Sequence, residues 1–161
     1  MAIKDAFTAE EWARIVAAPM LAGIAVTAAE PGGLWGAVKE SVAVAGAVRE
    51  GKAGADPLVS EIAAAYETSE GRDQARGALK AQASGKSAAE VVDAAVTELG
   101  AVTGLVAAKA PDAAPGFRDW LKAIAAKVAE AGTEGGFLGF GGEKVSAAET
   151  ATLERIGTAL G

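Results

Sequence analysis

The sequence predicts an all-α fold, one compact bundle of about five to seven helices formed by residues 1–161 as a single domain. About 42 of the 161 residues are alanine, the strongest helix former and a poor strand former. Apolar residues recur every three or four positions, and no segment alternates between apolar and polar residues as a half-buried strand does. Helix-capping residues and Gly or Pro stop signals bracket the apolar segments, which supports the same prediction.

Four helix starts carry a recognisable N-cap. Three of them place Ser or Thr at the cap and Glu three residues later, so that the hydroxyl and the carboxylate each accept from a free backbone N–H. In the fourth, Asp precedes a Pro whose fixed φ suits the first helical turn. The four starts are Thr8 with Glu11, Asp56 before Pro57, Ser87 with Glu90, and Ser146 with Glu149.

In chain order, the predicted helices span residues 8–29, 33–50, 57–67, 70–83, 87–109, 115–131 and 146–160. The first contains Pro19 and is apolar nearly all round, which places it near the centre of the bundle. Together with the helices at 33–50, 87–109 and 115–131 it forms the predicted core. Helix 70–83 is polar, and we expect it to be a solvated helix that docks through Leu79 alone.

Charge and hydropathy limit the partners and the compartment. The chain has 15 Lys and Arg against 21 Asp and Glu, a net charge of −6. Because phosphate contacts supply most of the affinity of nucleic-acid binders, we expect no nucleic-acid partner. Residues 15–29 are uncharged, but a membrane span needs about 20 residues, and the preceding segment lacks the basic region of an export signal. We therefore expect no transmembrane segment and a cytoplasmic location.

The sequence has no Cys and no His, which restricts its chemistry. Zinc fingers, Cys-ligated iron–sulfur clusters, disulfides and catalysis by Ser-His-Asp or Cys-His groups are excluded. Carboxylates such as Glu90 and Asp93 could bind a hard metal ion, yet Glu90 is already explained as a capping residue. We expect a non-catalytic protein with no catalytic residue, no cofactor and no metal site.

A glycine-rich segment, residues 132–142, carries three large apolar residues, Phe137, Leu138 and Phe140. It lacks the Gly-Lys-Ser/Thr ending of a phosphate-binding loop, and no strand precedes it. If these apolar side chains are exposed, a partner surface is needed to cover them, so they are candidate contacts with a protein partner or a second copy of the chain. The alternative is a compact loop that folds them onto the bundle. The first hypothesis of function is therefore an interaction or self-association module, in a stress-related role.

The second hypothesis is a small-ligand or metal-binding carrier with a pocket between the N-terminal helices. Its candidate lining residues are Trp12, Pro19, Met20 and Trp35. Tryptophans near helix starts also close the ends of helix bundles, so a core role is the alternative for them.

Elsewhere, Arg72, Arg76 and Lys80 are spaced to align along one helix face, either as an anion site or as an ordinary solvated surface.

The C-terminal residues 141–161 combine a turn, a Val-Ser cap, a glutamate three residues on, and an apolar helical stripe. The residues of this pattern are Val145, Ser146, Glu149, Leu153, Ile156, Leu160 and Gly161. The stretch resembles the closing motif of TerB-like domains, the tellurite-resistance type. The resemblance implies an all-helical fold and, in that family, acidic turns associated with metal. Here Gly141, Gly142 and Glu143 replace the acidic Asp-Gly turn, which leaves Glu143 and Glu149 as the positions for a metal ion.

Overall fold

The computed structural model describes residues 2–29, 37–54, 56–134 and 147–161. These residues form seven α-helices and two short 3₁₀ helices, with no strand among them. The α-helices are α1 (Ala9–Ala29), α2 (Ala37–Ala53), α3 (Pro57–Ala65), α4 (Ser69–Ala83), α5 (Ala88–Lys109), α6 (Ala114–Glu134) and α7 (Ala147–Leu160). The prediction of an all-α bundle is confirmed, and each predicted helix lies within a few residues of an observed one.

Helix α1 is the centre of the bundle, and it packs against α2, α4, α5, α6 and α7. Four consecutive residues, Ile15, Val16, Ala17 and Ala18, are fully buried. Since successive residues of an α-helix are about 100° apart, four buried in a row mean that this turn of α1 is covered on every side. The continuous apolar sequence of this segment is thus explained by burial on every face.

The predicted caps are present wherever the structure describes them. The Thr8 N–H donates to the Glu11 carboxylate at 2.8 Å, and the Glu11 N–H donates to the Thr8 hydroxyl at 3.2 Å. The Val59 N–H donates to the Asp56 carboxylate at 3.0 Å, which caps α3. At the start of α5, the Glu90 N–H donates to the Ser87 hydroxyl at 3.3 Å, which is one of the two hydrogen bonds predicted there. The cap predicted at Ser146 lies outside the described residues.

Helix α4 docks differently from the prediction. Leu79 is only half-buried, whereas Gly71 and Ala75 are buried, so the expectation of docking through Leu79 alone is wrong. A Cβ atom built on Gly71 would lie 2.1 Å from the carbonyl oxygen of Ala65, at the end of α3. Small residues bring the α4 backbone close to its neighbours. Docking through such residues produces no pattern of large apolar residues in the sequence.

Two of the described helices, α1 and α5, are long and apolar enough to span a membrane by length and composition. In the most apolar stretch of α1, 61% of the residues are buried inside the bundle, and in that of α5 39% are buried. A core helix of a globular protein meets the same criteria. The expected absence of a transmembrane segment and the cytoplasmic location therefore stay predictions.

Candidate functional site

A cavity of about 580 Å³ lies among α1, α2, α3 and α4, and we call it the α1–α4 cavity. Its volume is within the range of about 300–1,000 Å³ that is typical of small-molecule sites. Apolar atoms supply most of its surface. A mostly apolar concavity with a few polar groups at one end is the usual form of a binding site for a small organic molecule.

The apolar walls of the α1–α4 cavity come mainly from α1 and α2. Helix α1 contributes Met20 and Ile24, which are four residues apart and therefore lie on one face of the helix. Helix α2 contributes Val44 and Val48 with the same spacing. The two helices approach closely at Gly23, where an added Cβ would lie 2.9 Å from a methyl group of Val44. Gly23 and Val44 thus line the cavity and also lie against each other.

The other end of the cavity is cationic, because Arg49 and Lys52 of α2 and Arg72 of α4 line it. Lys52 forms an ion pair with Glu67 at 2.6 Å, and both side chains are about half exposed. The Arg72 guanidinium donates to the Tyr66 carbonyl oxygen at 2.9 Å. Cations near the last carbonyls of a helix also offset its dipole, so two of the three have a structural role at the end of α3.

Tyr66 connects the cationic end of the cavity to the central helix. Its hydroxyl donates to the backbone oxygen of Val16 at 2.5 Å. This oxygen lies one residue beyond Ile15, whose carbonyl loses its helical partner because Pro19 has no N–H to donate. Burial raises the pKa of the Tyr66 phenol above its ordinary value of 10.0. At neutral pH the phenol is therefore a fixed hydrogen-bond donor, unsuited to act as a base.

A second cavity, of about 480 Å³, lies on the opposite side of α4, among α1, α4 and α5. Its polar wall contains an ion pair in which Arg14 donates to Glu98 at 2.6 and 3.2 Å. The hydrogen bond that Arg14 donates to Glu98 raises the pKa of Arg14, and burial opposes this shift. Because Arg14 and Glu98 are already paired with each other, the charges of this pair are not free to bind a ligand.

The three described residues of the predicted ligand pocket do not all line one cavity. Met20 lines the α1–α4 cavity. Trp12 and Pro19 are buried in the core and do not line it, and the Lys4 ammonium lies 5.9 Å from the centre of the Trp12 ring. Trp35 lies outside the described residues, as do Phe137, Leu138 and Phe140, the predicted contacts with a protein partner.

Sequence reasoning missed most of the residues at the cationic end. Of the basic stripe Arg72, Arg76 and Lys80, only Arg72 lines the cavity, while Arg76 is paired with Asp73 at 3.7 Å and Lys80 is exposed. Arg49 is an isolated arginine late in an amphipathic helix, so the sequence contains no pattern that marks it as a site residue. The apolar stripe of α2 was visible, but its spacing is the same for a core face and for a cavity wall.

Within residues 2–29, 37–54, 56–134 and 147–161, no three carboxylates whose side chains are described come together as metal ligands would. Glu143 lies outside these ranges, and the side chain of Glu149 is not described. No protein-family model, curated protein or solved structure matches the chain, so the resemblance to TerB-like domains stays a prediction.

Proposed function

We propose that this protein is a non-catalytic carrier that binds a small apolar molecule in the α1–α4 cavity. The observation that carries the proposal is the cavity itself, about 580 Å³ in volume and lined mainly by apolar side chains of α1 and α2. A ligand that covers apolar surface in the cavity removes that surface from water. This burial favours binding by about 25 cal/mol per Å². The sequence also suggests a carrier, but most residues of the α1–α4 cavity differ from those that it predicts to line a pocket.

The lining supports binding better than catalysis. The one phenol at the site is already donating to a backbone oxygen, and Lys52 is held by Glu67. A reaction would need a nucleophile beside a general base, an arrangement that the described lining residues do not provide. The interaction-module hypothesis rests on residues 132–142 and stays a prediction.

The test measures binding of Nile red, a neutral apolar dye whose fluorescence rises on transfer from water to an apolar site. We expect saturable binding to the unaltered protein. Ala45→Phe adds a large side chain to the α2 wall, and Ile24→Trp does so on α1. Either change is expected to weaken dye binding about tenfold, equivalent to about 1.4 kcal/mol.

Ala101→Phe is the matched control, since Ala101 is an exposed alanine on α5 that lines neither cavity. It adds the same apolar group to the same kind of helix surface and is expected to leave dye binding unchanged. Circular dichroism verifies that all the variants fold. The proposal is overturned if the dye does not bind, or if it binds the folded Ala45→Phe and Ile24→Trp variants as tightly as the control.

A further inference from the structure

The α1–α4 cavity has a direction, from an apolar end to a cationic end. Along α2, Val44 and Lys52 are eight residues apart, or about 12 Å at 1.5 Å per residue. Along α4, Leu79 lies toward the apolar end of the cavity and Arg72 toward the cationic end. Lys52 forms an ion pair with Glu67, and Arg72 donates to the carbonyl oxygen of Tyr66, the residue before Glu67. Both helices therefore place their cations at the same end of the cavity, beside the end of α3.

Among the described lining residues, the positive charge at this end exceeds the negative charge. Three cations and one carboxylate, Glu67, line the cavity, and the excess of two positive charges occurs in a chain whose net charge is −6. Lys52 and Arg72 have partners, whereas Arg49 forms no ion pair or hydrogen bond within the part of the chain that the structure describes. The adjacent carboxylate, Glu50, is turned away to an ion pair with Lys127 of α6.

Taking the proposed function as its basis, we infer that the ligand is an anionic amphiphile, a single-chain fatty acid with its carboxylate at Arg49 and its alkyl chain along the apolar walls. A guanidinium presents two parallel N–H groups that match the two oxygens of a carboxylate. Ile24 and Val48 then contact the chain, and removal of its methylene groups from water supplies most of the affinity. The guanidinium selects for the anionic head group.

The experiment displaces bound Nile red with dodecanoic acid and, in parallel, with dodecanol, at a pH where the acid is ionised and below the concentration at which it aggregates. Both compounds have the same chain length, so the difference between them reports the head group. We expect the acid to bind about two- to fivefold more tightly, the gain that a solvent-exposed ion pair provides. Arg49→Gln is expected to abolish this preference and to leave dodecanol binding unchanged.

Arg76→Gln is the matched control, because Arg76 is an exposed arginine of α4 that does not line the cavity, and its loss changes the net charge equally. It is expected to retain the preference for the acid. Equal affinity for acid and alcohol in the unaltered protein, or an equal loss of preference in both variants, would overturn this inference. Either result leaves dye binding intact and so differs from failure of the proposed function, in which Nile red itself does not bind.

Discussion

Two glycines of α4 are expected to respond to alanine with opposite changes in stability. Gly71 is in the first turn, where an added Cβ would lie 2.1 Å from the Ala65 carbonyl oxygen and 3.0 Å from the Thr68 hydroxyl that caps the helix. Gly77 is in the middle of the same helix and is exposed, and apart from the backbone of its own helix no described atom lies within 4 Å of the position of its Cβ. The comparison therefore keeps the substitution and the helix constant and changes only the surroundings.

The magnitudes follow from three contributions to the free energy of unfolding. Alanine is favoured over glycine in a helix interior by about 0.4–1 kcal/mol, which is the gain expected for Gly77→Ala. At position 71 the backbone of α4 must move by about 1 Å to relieve the contact, and overpacking of this kind costs about 1–3 kcal/mol. Disturbance of the Thr68 cap adds about 1 kcal/mol. Gly71→Ala is therefore expected to destabilise the protein by about 1–3 kcal/mol in net.

Urea unfolding followed by far-ultraviolet circular dichroism measures both variants. The midpoint is expected to rise for Gly77→Ala and to fall for Gly71→Ala, with similar slopes in the two transitions. If both midpoints rise, the close approach of α4 to the end of α3 does not restrict position 71, and the packing argument is refuted. A changed slope would show that the variants differ in how much structure unfolds.

Three further predictions concern single residues. Because Tyr66 is the sole tyrosine and burial raises its pKa, phenolate absorbance of the native protein is expected to appear only above pH 10.0, and an ordinary tyrosine titration would contradict this. Since the pKa of Tyr66 in the folded state exceeds its unfolded value, the stability of the protein falls as the pH rises past 10.0. The Lys109 ammonium and the Thr8 N–H lower the pKa of Glu11, so the stability it contributes is present above pH 4.5 and lost as the pH falls through the lowered value. Glu11→Gln is therefore expected to reduce the urea midpoint at neutral pH and to change it less in acid, whereas an equal change at both pH values would oppose the reasoning. Phe117 is fully buried, and Phe117→Ala is expected to destabilise the protein by about 3–5 kcal/mol in thermal or urea unfolding, with Phe117→Leu losing less.

The positions of the helices could be predicted from the sequence because their signals are local. The Thr8 and Glu11 side chains lie three residues apart and cap α1 whatever the rest of the bundle does. Likewise, Asp56 before Pro57 determines the start of α3 before any long-range contact forms. Apolar residues spaced by three and four then determine which face of each helix is buried.

The cavity could not be predicted in the same way, because it depends on the space that remains between helices. Met20 and Val48 have the periodicity of core residues, and only the packing of α2 and α4 on α1 leaves them at a surface that is not filled. The hydrogen bond from Tyr66 to Val16 joins residues 50 positions apart, which a sequence pattern does not report. The docking of α4 through Gly71 depends in turn on a backbone oxygen of another helix.

The position of α4 between two cavities has a consequence for motion. Its described buried residues are a glycine and an alanine, so α4 itself contributes few large apolar side chains to the core. Local opening at α4 therefore needs much less free energy than global unfolding, and its backbone amides exchange with solvent hydrogen sooner than those of α1. Opening at α4 would widen both cavities, while α1 keeps its contacts with α2, α5, α6 and α7.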